Sequence, residues 1–129
     1  MSKVNAEVIF QNDFNGKILN KNNDVIIGDN GVAPYDMLQG ALAACLHATF
    51  LSILVKKRLT IDSARYIING DKKEDIPTTL TNVNIEVYIK SVDDAQQIIK
   101  SFDLATKYCS IYNTIAHVAT MNYQVHFEG

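Results

Sequence analysis

Residues 34–58, Pro-Tyr-Asp-Met-Leu-Gln-Gly-Ala-Leu-Ala-Ala-Cys-Leu-His-Ala-Thr-Phe-Leu-Ser-Ile-Leu-Val-Lys-Lys-Arg, decide the fold. They form one unbroken helical pattern. Pro34 stands at or just before the first turn, where a missing N–H costs nothing. Asp36 places a carboxylate near the positive end of the helix dipole, and Lys56, Lys57 and Arg58 place cations at the other end. Leu38, Ala41, Leu42, Cys45, Thr49, Ile53 and Lys56 recur every three or four residues, with Leu46, Phe50 and Leu54 beside them. That apolar surface is wider than one buried face requires. The pattern predicts a long, heavily buried central helix from about Tyr35 or Asp36 to Arg58.

The sequence on either side is richer in strands. Upstream, residues 3–10, 17–20 and 25–27 are short β-prone runs separated by turns of Asn, Asp and Gly. Downstream, 61–69 and 79–90 are two strands flanking the polar loop Gly-Asp-Lys-Lys-Glu-Asp-Ile-Pro. In the second, Val83, Ile85, Val87 and Ile89 alternate with Asn84, Glu86 and Tyr88, as a half-buried antiparallel strand requires. Residues 93–107 and about 110–119 are helical, and 120–127 form a last strand. The order βββ–α–ββ–αα–β, with strands in runs, predicts an α+β fold. The whole chain, 1–129, reads as one domain.

Composition narrows the function. The chain has 129 residues, is 47% hydrophobic and 20% charged, and carries a formal net charge of −2. No basic stripe is present, so no nucleic-acid partner is expected. No window reaches the roughly 20 apolar residues that a bilayer span needs, and no leader pattern opens the chain. No membrane is therefore expected, and the cytoplasm is the expected compartment. Two cysteines in such a compartment are expected to be reduced, either as inert core residues or as reactive groups.

Cys45 and Cys109 lie 64 residues apart and share no local motif. Each nonetheless sits in a segment resembling a signature of the OsmC/Ohr family. Ala33-Pro34-Tyr35-Asp36-Met37-Leu38-Gln39-Gly40-Ala41-Leu42-Ala43-Ala44-Cys45 is similar to the family's helix start followed by a small-residue run ending in Ala-Ala-Cys. Ala105-Thr106-Lys107-Tyr108-Cys109-Ser110-Ile111-Tyr112-Asn113 is similar to its second, a Cys near the start of a late helix before a final strand. The element order agrees throughout. The resemblance implies a thiol-dependent peroxidase that reduces organic hydroperoxides and works as an intertwined homodimer. In it Cys45 is the nucleophile and Cys109 the resolving thiol, joined transiently in a disulfide and recycled by a lipoyl-type or other small dithiol. It implies no cofactor.

This chain departs from the family in the groups that activate the cysteine. Residues 1–34 contain no Arg, and Tyr35 stands where the family has Glu, with Asp36 one residue later. Lys17 is the same-region candidate for the missing cation. Arg58 lies thirteen residues beyond Cys45, about 20 Å along the same helix, beyond side-chain reach. Tyr35 is a candidate hydrogen-bond donor to a thiolate or peroxide oxygen. Met37, Leu38, Leu42, Leu46 and Phe50 are the expected apolar walls of a substrate pocket. No metal site is expected: His47 is only two positions from Cys45, and such positions do not share a helix face. His117 and His126 read as polar-face residues. A binding or redox-sensing module with little peroxidase activity is the alternative, and a structural protein with two buried thiols is a third.

Overall fold

The computed structural model describes residues 2–129. The chain divides into two compact units, one ending at Gly40 and one running from Ala41 to Gly129. The first is a three-stranded antiparallel meander, β1 (Val8–Phe10), β2 (Asn15–Ile18) and β3 (Val25–Gly28), in that spatial order. Gly28 adopts φ 100°, and a Cβ there would collide with the Phe14 carbonyl oxygen, so the turn needs glycine. The expected strand from residue 3 shortens to Val8–Phe10. Val4 finds no neighbour and stays 95% exposed, so its alternation with Ala6 has nothing to pack against.

The helix α1 (Pro34–Lys57) crosses from the first unit into the second. Arg58 closes it at φ 59°, and the Leu59 N–H returns to the Leu54 carbonyl at 2.9 Å. This is the left-handed ending usually given to glycine. Burial corrects the expectation of a helix covered on most sides. Within one chain only Leu42, Leu46, Phe50 and Leu54, one i,i+4 stripe, are buried, while Leu51 and Val55 face outward. The helix is also long and apolar enough to cross a bilayer, with a mean hydropathy of 1.8, contrary to the sequence expectation. Its buried stripe belongs to a packed protein core.

The second unit continues with β4 (Ser63–Lys72), β5 (Leu80–Lys90), α2 (Ala95–Tyr108), α3 (Ser110–Ala116) and β6 (Thr120–Phe127). Strand β5 is central, antiparallel to β4 and parallel to β6. The sequence suggested antiparallel pairing, but the two helices between β5 and β6 form a crossover, which returns the chain in the same direction. Asp94 caps α2 by accepting from the N–H groups of Gln96 (2.8 Å) and Gln97 (3.4 Å).

One core fills the space between sheet and helices. Val83, Ile85, Val87 and Ile89 present one face of β5, and the stripe of α1 and Ile98, Phe102 and Ala105 of α2 belong to the same cluster. Phe50 and Phe102 meet edge to face at 5.1 Å. Each fully buried aliphatic or Phe side chain contributes about 1.5–3 kcal/mol by area. This core fixes α1 relative to the α2–α3 joint, which is where the two cysteines lie.

Candidate active site

Cys45 lies three residues past Leu42 on α1, beside the buried stripe, and its side chain is half-buried. Cys109 is fully buried at the joint between α2 and α3. Its backbone (φ −69°, ψ 120°) is extended, so it ends one helix and begins the next. Its N–H donates to the Ala105 carbonyl at 2.8 Å, closing α2. Its sulfur accepts the N–H of Tyr112 at 3.4 Å, capping α3. A thiol thus fills the position where Ser, Thr, Asp or Asn usually serves.

The fold brings the two sulfurs together. The Ile111 backbone N–H is the largest influence lowering the pKa of Cys45. Burial opposes this, while the Cys109 thiol and the Ser110 N–H lower it further. Each donor stabilises the thiolate over the thiol. Burial pushes Cys109 up to about 11, against the Tyr112 N–H, and the neighbouring Cys45 adds to the rise. The pair is therefore asymmetric: Cys45 ionises first, and Cys109 keeps its proton and donates it in a hydrogen bond to Cys45.

The sequence pointed to a charged side chain as the activator. Within the second unit, backbone N–H groups at the start of α3 and the Cys109 thiol lower the Cys45 pKa. Lys17 lies on β2 in the first unit, where its ammonium pairs with Asp24 at 3.4 Å. Tyr35 and Asp36 occupy the first turn of α1, in the same unit. Arg65 pairs with Glu128 at 3.6 Å and lies over the Tyr88 ring at 4.5 Å.

The expected pocket walls separate into two groups. Leu42, Leu46 and Phe50 have no exposed surface and belong to the core, so they back the site and do not line a pocket. This corrects their assignment: an i,i+4 stripe that packs on α2 has no face left for a ligand. Met37 and Leu38 fall in the first unit, half-buried and exposed respectively. A groove of about 520 Å³ opens along the second half of α1, lined by Ala48, Thr49, Ser52, Ile53, Lys56 and Tyr108 and by neither cysteine. Ala48 and Thr49 follow Cys45 by one turn, and Tyr108 adjoins Cys109 in sequence.

Two further groups near the site carry no signal in the sequence. Tyr66 of β4 meets His47 of α1, with its hydroxyl 2.9 Å from Nδ1. Burial pushes Tyr66 up and His47 down, so both stay neutral and share one hydrogen bond between the hydroxyl and Nδ1. They lie in different elements, and only the packing of α1 on the sheet joins them. His126 sits 2.6 Å from Glu86 and stacks on Tyr88, and His117 ends α3. No cluster of three or more metal-ligating side chains occurs among the described residues.

An acidified, accessible thiol held by a buried, protonated one makes this an α+β dithiol protein. Comparison with known proteins agrees with that frame. The family model described as OsmC-like protein matches residues 27–124, and the chain belongs to that family. By sequence, no curated protein matches. By structure, the chain is similar to an OsmC-like protein from Mycoplasma pneumoniae, at 19% identity and TM-score 0.88 over 99% of each chain. It is also similar to the organic hydroperoxide resistance protein OhrB of Bacillus subtilis, at 16% identity and TM-score 0.70, over 95% of this chain and 98% of that one. An organic hydroperoxide resistance protein from Legionella pneumophila shares 10% identity and TM-score 0.74, over 98% and 99%. These likenesses establish the OsmC-like fold.

Proposed function

We propose that this protein is a thiol-dependent peroxidase that reduces organic hydroperoxides. The supporting observation is the asymmetric pair: a half-exposed Cys45 acidified by the Ile111 N–H, with the protonated Cys109 thiol hydrogen-bonded to it. In the first step the Cys45 thiolate attacks one peroxide oxygen. The O–O bond breaks, the alkoxide takes a proton and leaves as an alcohol, and Cys45 becomes a sulfenic acid. The Cys109 sulfur then attacks the Cys45 sulfur, gives up its proton, and expels the hydroxyl as water. A small dithiol, lipoyl-type or similar, reopens the disulfide by exchange, leaving two thiols and an oxidised reductant. The two organic hydroperoxide resistance proteins of similar fold favour this substrate class, as does a partly apolar groove whose lining includes Thr49, one turn from Cys45, and Tyr108, next to Cys109 in sequence.

Lys17, Tyr35 and Asp36 enter this proposal as its candidate cation, hydrogen-bond donor and carboxylate. The working form is a homodimer of single-domain chains in a reducing compartment, the cytoplasm. Two features support the dimer. Both three-stranded sheets end in open edges, and apolar side chains of both units, among them Phe10, Ile26 and Val55, face outward. A monomer in light scattering at micromolar concentration would refute it.

The activity is tested by mixing reduced protein with cumene hydroperoxide or hydrogen peroxide and following the Cys45–Cys109 disulfide by mass spectrometry. Fast oxidation that is lost in Cys45→Ser is expected, with the organic peroxide preferred. Oxidation no faster than that of a free thiol would remove the peroxidase reading. The second reading, a binding or redox-sensing module, would then stand. It draws on the same groove and on the uncharged donors that alone acidify Cys45 among the described residues.

A further inference from the structure

The carboxamide of Asn113 occupies a place that the chemistry above does not explain. Its Nδ2 lies 2.8 Å from the Cys109 carbonyl, 3.1 Å from that of Thr106 and 3.2 Å from that of Lys107. Two protons are shared among three acceptors. Thr106 and Lys107 belong to the last turn of α2, where carbonyls have no partner within the helix. The Asn113 backbone N–H also donates to the Cys109 carbonyl, at 3.1 Å. One residue of α3 therefore holds the end of α2 and the joint residue by four contacts.

We propose that Asn113 is the positioning residue of the dithiol, clamping the start of α3 against the end of α2 so that its first N–H groups stay aimed at the two sulfurs. Helix α3 spans only Ser110–Ala116, too short to be stable alone. Ile115 is buried, and Ile111 and Tyr112 pack partly against the core, which seats the helix but does not tie its first turn to the end of α2. Yet its first turn faces the two sulfurs: the Tyr112 N–H donates to Cys109 at 3.4 Å, and the Ser110 and Ile111 N–H groups lower the pKa of Cys45. Backbone donors hold a thiolate only while their direction is fixed, because hydrogen bonds weaken steeply as they bend. Asn113 lies within one turn of those donors, and its side chain reaches back across the joint. It touches neither sulfur and acts through the backbone.

This inference rests on Cys45 being the working thiol, but its test needs no peroxide. The acidity of Cys45 is read from the pH dependence of its alkylation by iodoacetamide, followed by peptide mass mapping in the full chain. Asn113→Ala and Asn113→Leu, the latter keeping bulk without donors, are expected to raise the midpoint by about one pH unit, the scale of one charge-assisted hydrogen bond. Asn113→Gln, which retains the donors, is expected to recover most of the shift. Midpoints of the Ala and Leu variants equal to that of the unaltered protein would overturn the proposal. So would a uniform loss of rate at every pH, which marks damage to the fold. Should both variants fail to fold, the unaltered protein still decides the matter by NMR. The Asn113 side-chain amide is expected to be protected from exchange, and the Ser110 and Ile111 amides to shift at the Cys45 midpoint. A freely exchanging carboxamide would overturn it. Failure of peroxide reduction with these results intact would strike the peroxidase proposal alone.

Discussion

Replacing Cys109 separates its two roles at the site, because alanine removes the hydrogen-bond donor and serine keeps it. In the folded protein the Cys109 thiol donates to the Cys45 sulfur and lowers its pKa, together with the N–H groups of Ile111 and Ser110. A hydrogen bond to a charged group contributes about 1.5–3 kcal/mol. A thiol is a weak donor and Cys45 is half-exposed, so the low end applies. About 1.4 kcal/mol corresponds to one pKa unit. Cys109→Ala should therefore raise the Cys45 midpoint by about one unit and cut the thiolate fraction at neutral pH about tenfold. Cys109→Ser should hold the midpoint within roughly 0.3 units, since a hydroxyl donates at least as well. The alanine variant also loses the cap on Tyr112, a cost of about 1 kcal/mol in unfolding free energy. Thiolate absorbance at 240 nm as a function of pH measures the midpoint, and urea unfolding measures the cap. An alanine midpoint equal to or below that of the unaltered protein would refute the assignment of Cys109 as donor.

Arg58→Gly should stabilise the protein by about 0.5–1 kcal/mol in urea unfolding. It relieves a left-handed backbone at φ 59° and gives back part of the gain as glycine's extra freedom when unfolded; a lower midpoint would show that the Arg58 side chain carries compensating contacts. Alkaline pH should destabilise the fold through Cys109, whose pKa rises from 9.0 to about 11 on folding. Between those values the native state holds a proton that the unfolded chain has lost, so stability falls as pH rises from roughly 9 to 11. The lowered pKa of Cys45 works in the other direction, adding stability above its unfolded value that is lost as pH falls. Thermal melts across this range should show the alkaline loss flattened in Cys109→Ser, and an equally steep loss in that variant would assign it elsewhere.

The element order was legible in the sequence because each main element carries its own periodicity. The alternation at 83–89 gave β5 and its buried face, and the run from Pro34 gave α1 to within two residues at its start and one at its end. The covering of α1 was not legible. An apolar residue such as Val55 reads the same whether its own chain covers it or leaves it 76% exposed. Leu42, Leu46 and Phe50 read as pocket walls for the same reason, since apolar character does not say which neighbour arrives. The pairing of Cys45 with Cys109 came from a resemblance of motifs and from no spacing between them. Their surroundings were hidden for a deeper reason: the donors that acidify Cys45 are main-chain N–H groups, which every residue but proline carries. A search for Arg or Lys passes over them, and only the joint at Cys109 shows where they point.

The parallel pairing of β5 with β6 also governs how the protein comes to exist. Val83 pairs with Met121 and Val87 with Val125, so the chain between must be gathered before the sheet closes. That span contains α2, the joint and α3. Non-local pairing of this kind is slow, because the entropy of loop closure is spent before the contacts reward it. Cys109 rides on the gathered segment, and its thiol is buried only when the closure is complete. Until that closure the chain lacks both the burial of Cys109 and the donors that acidify Cys45, so the reactive pair exists only in the completed fold.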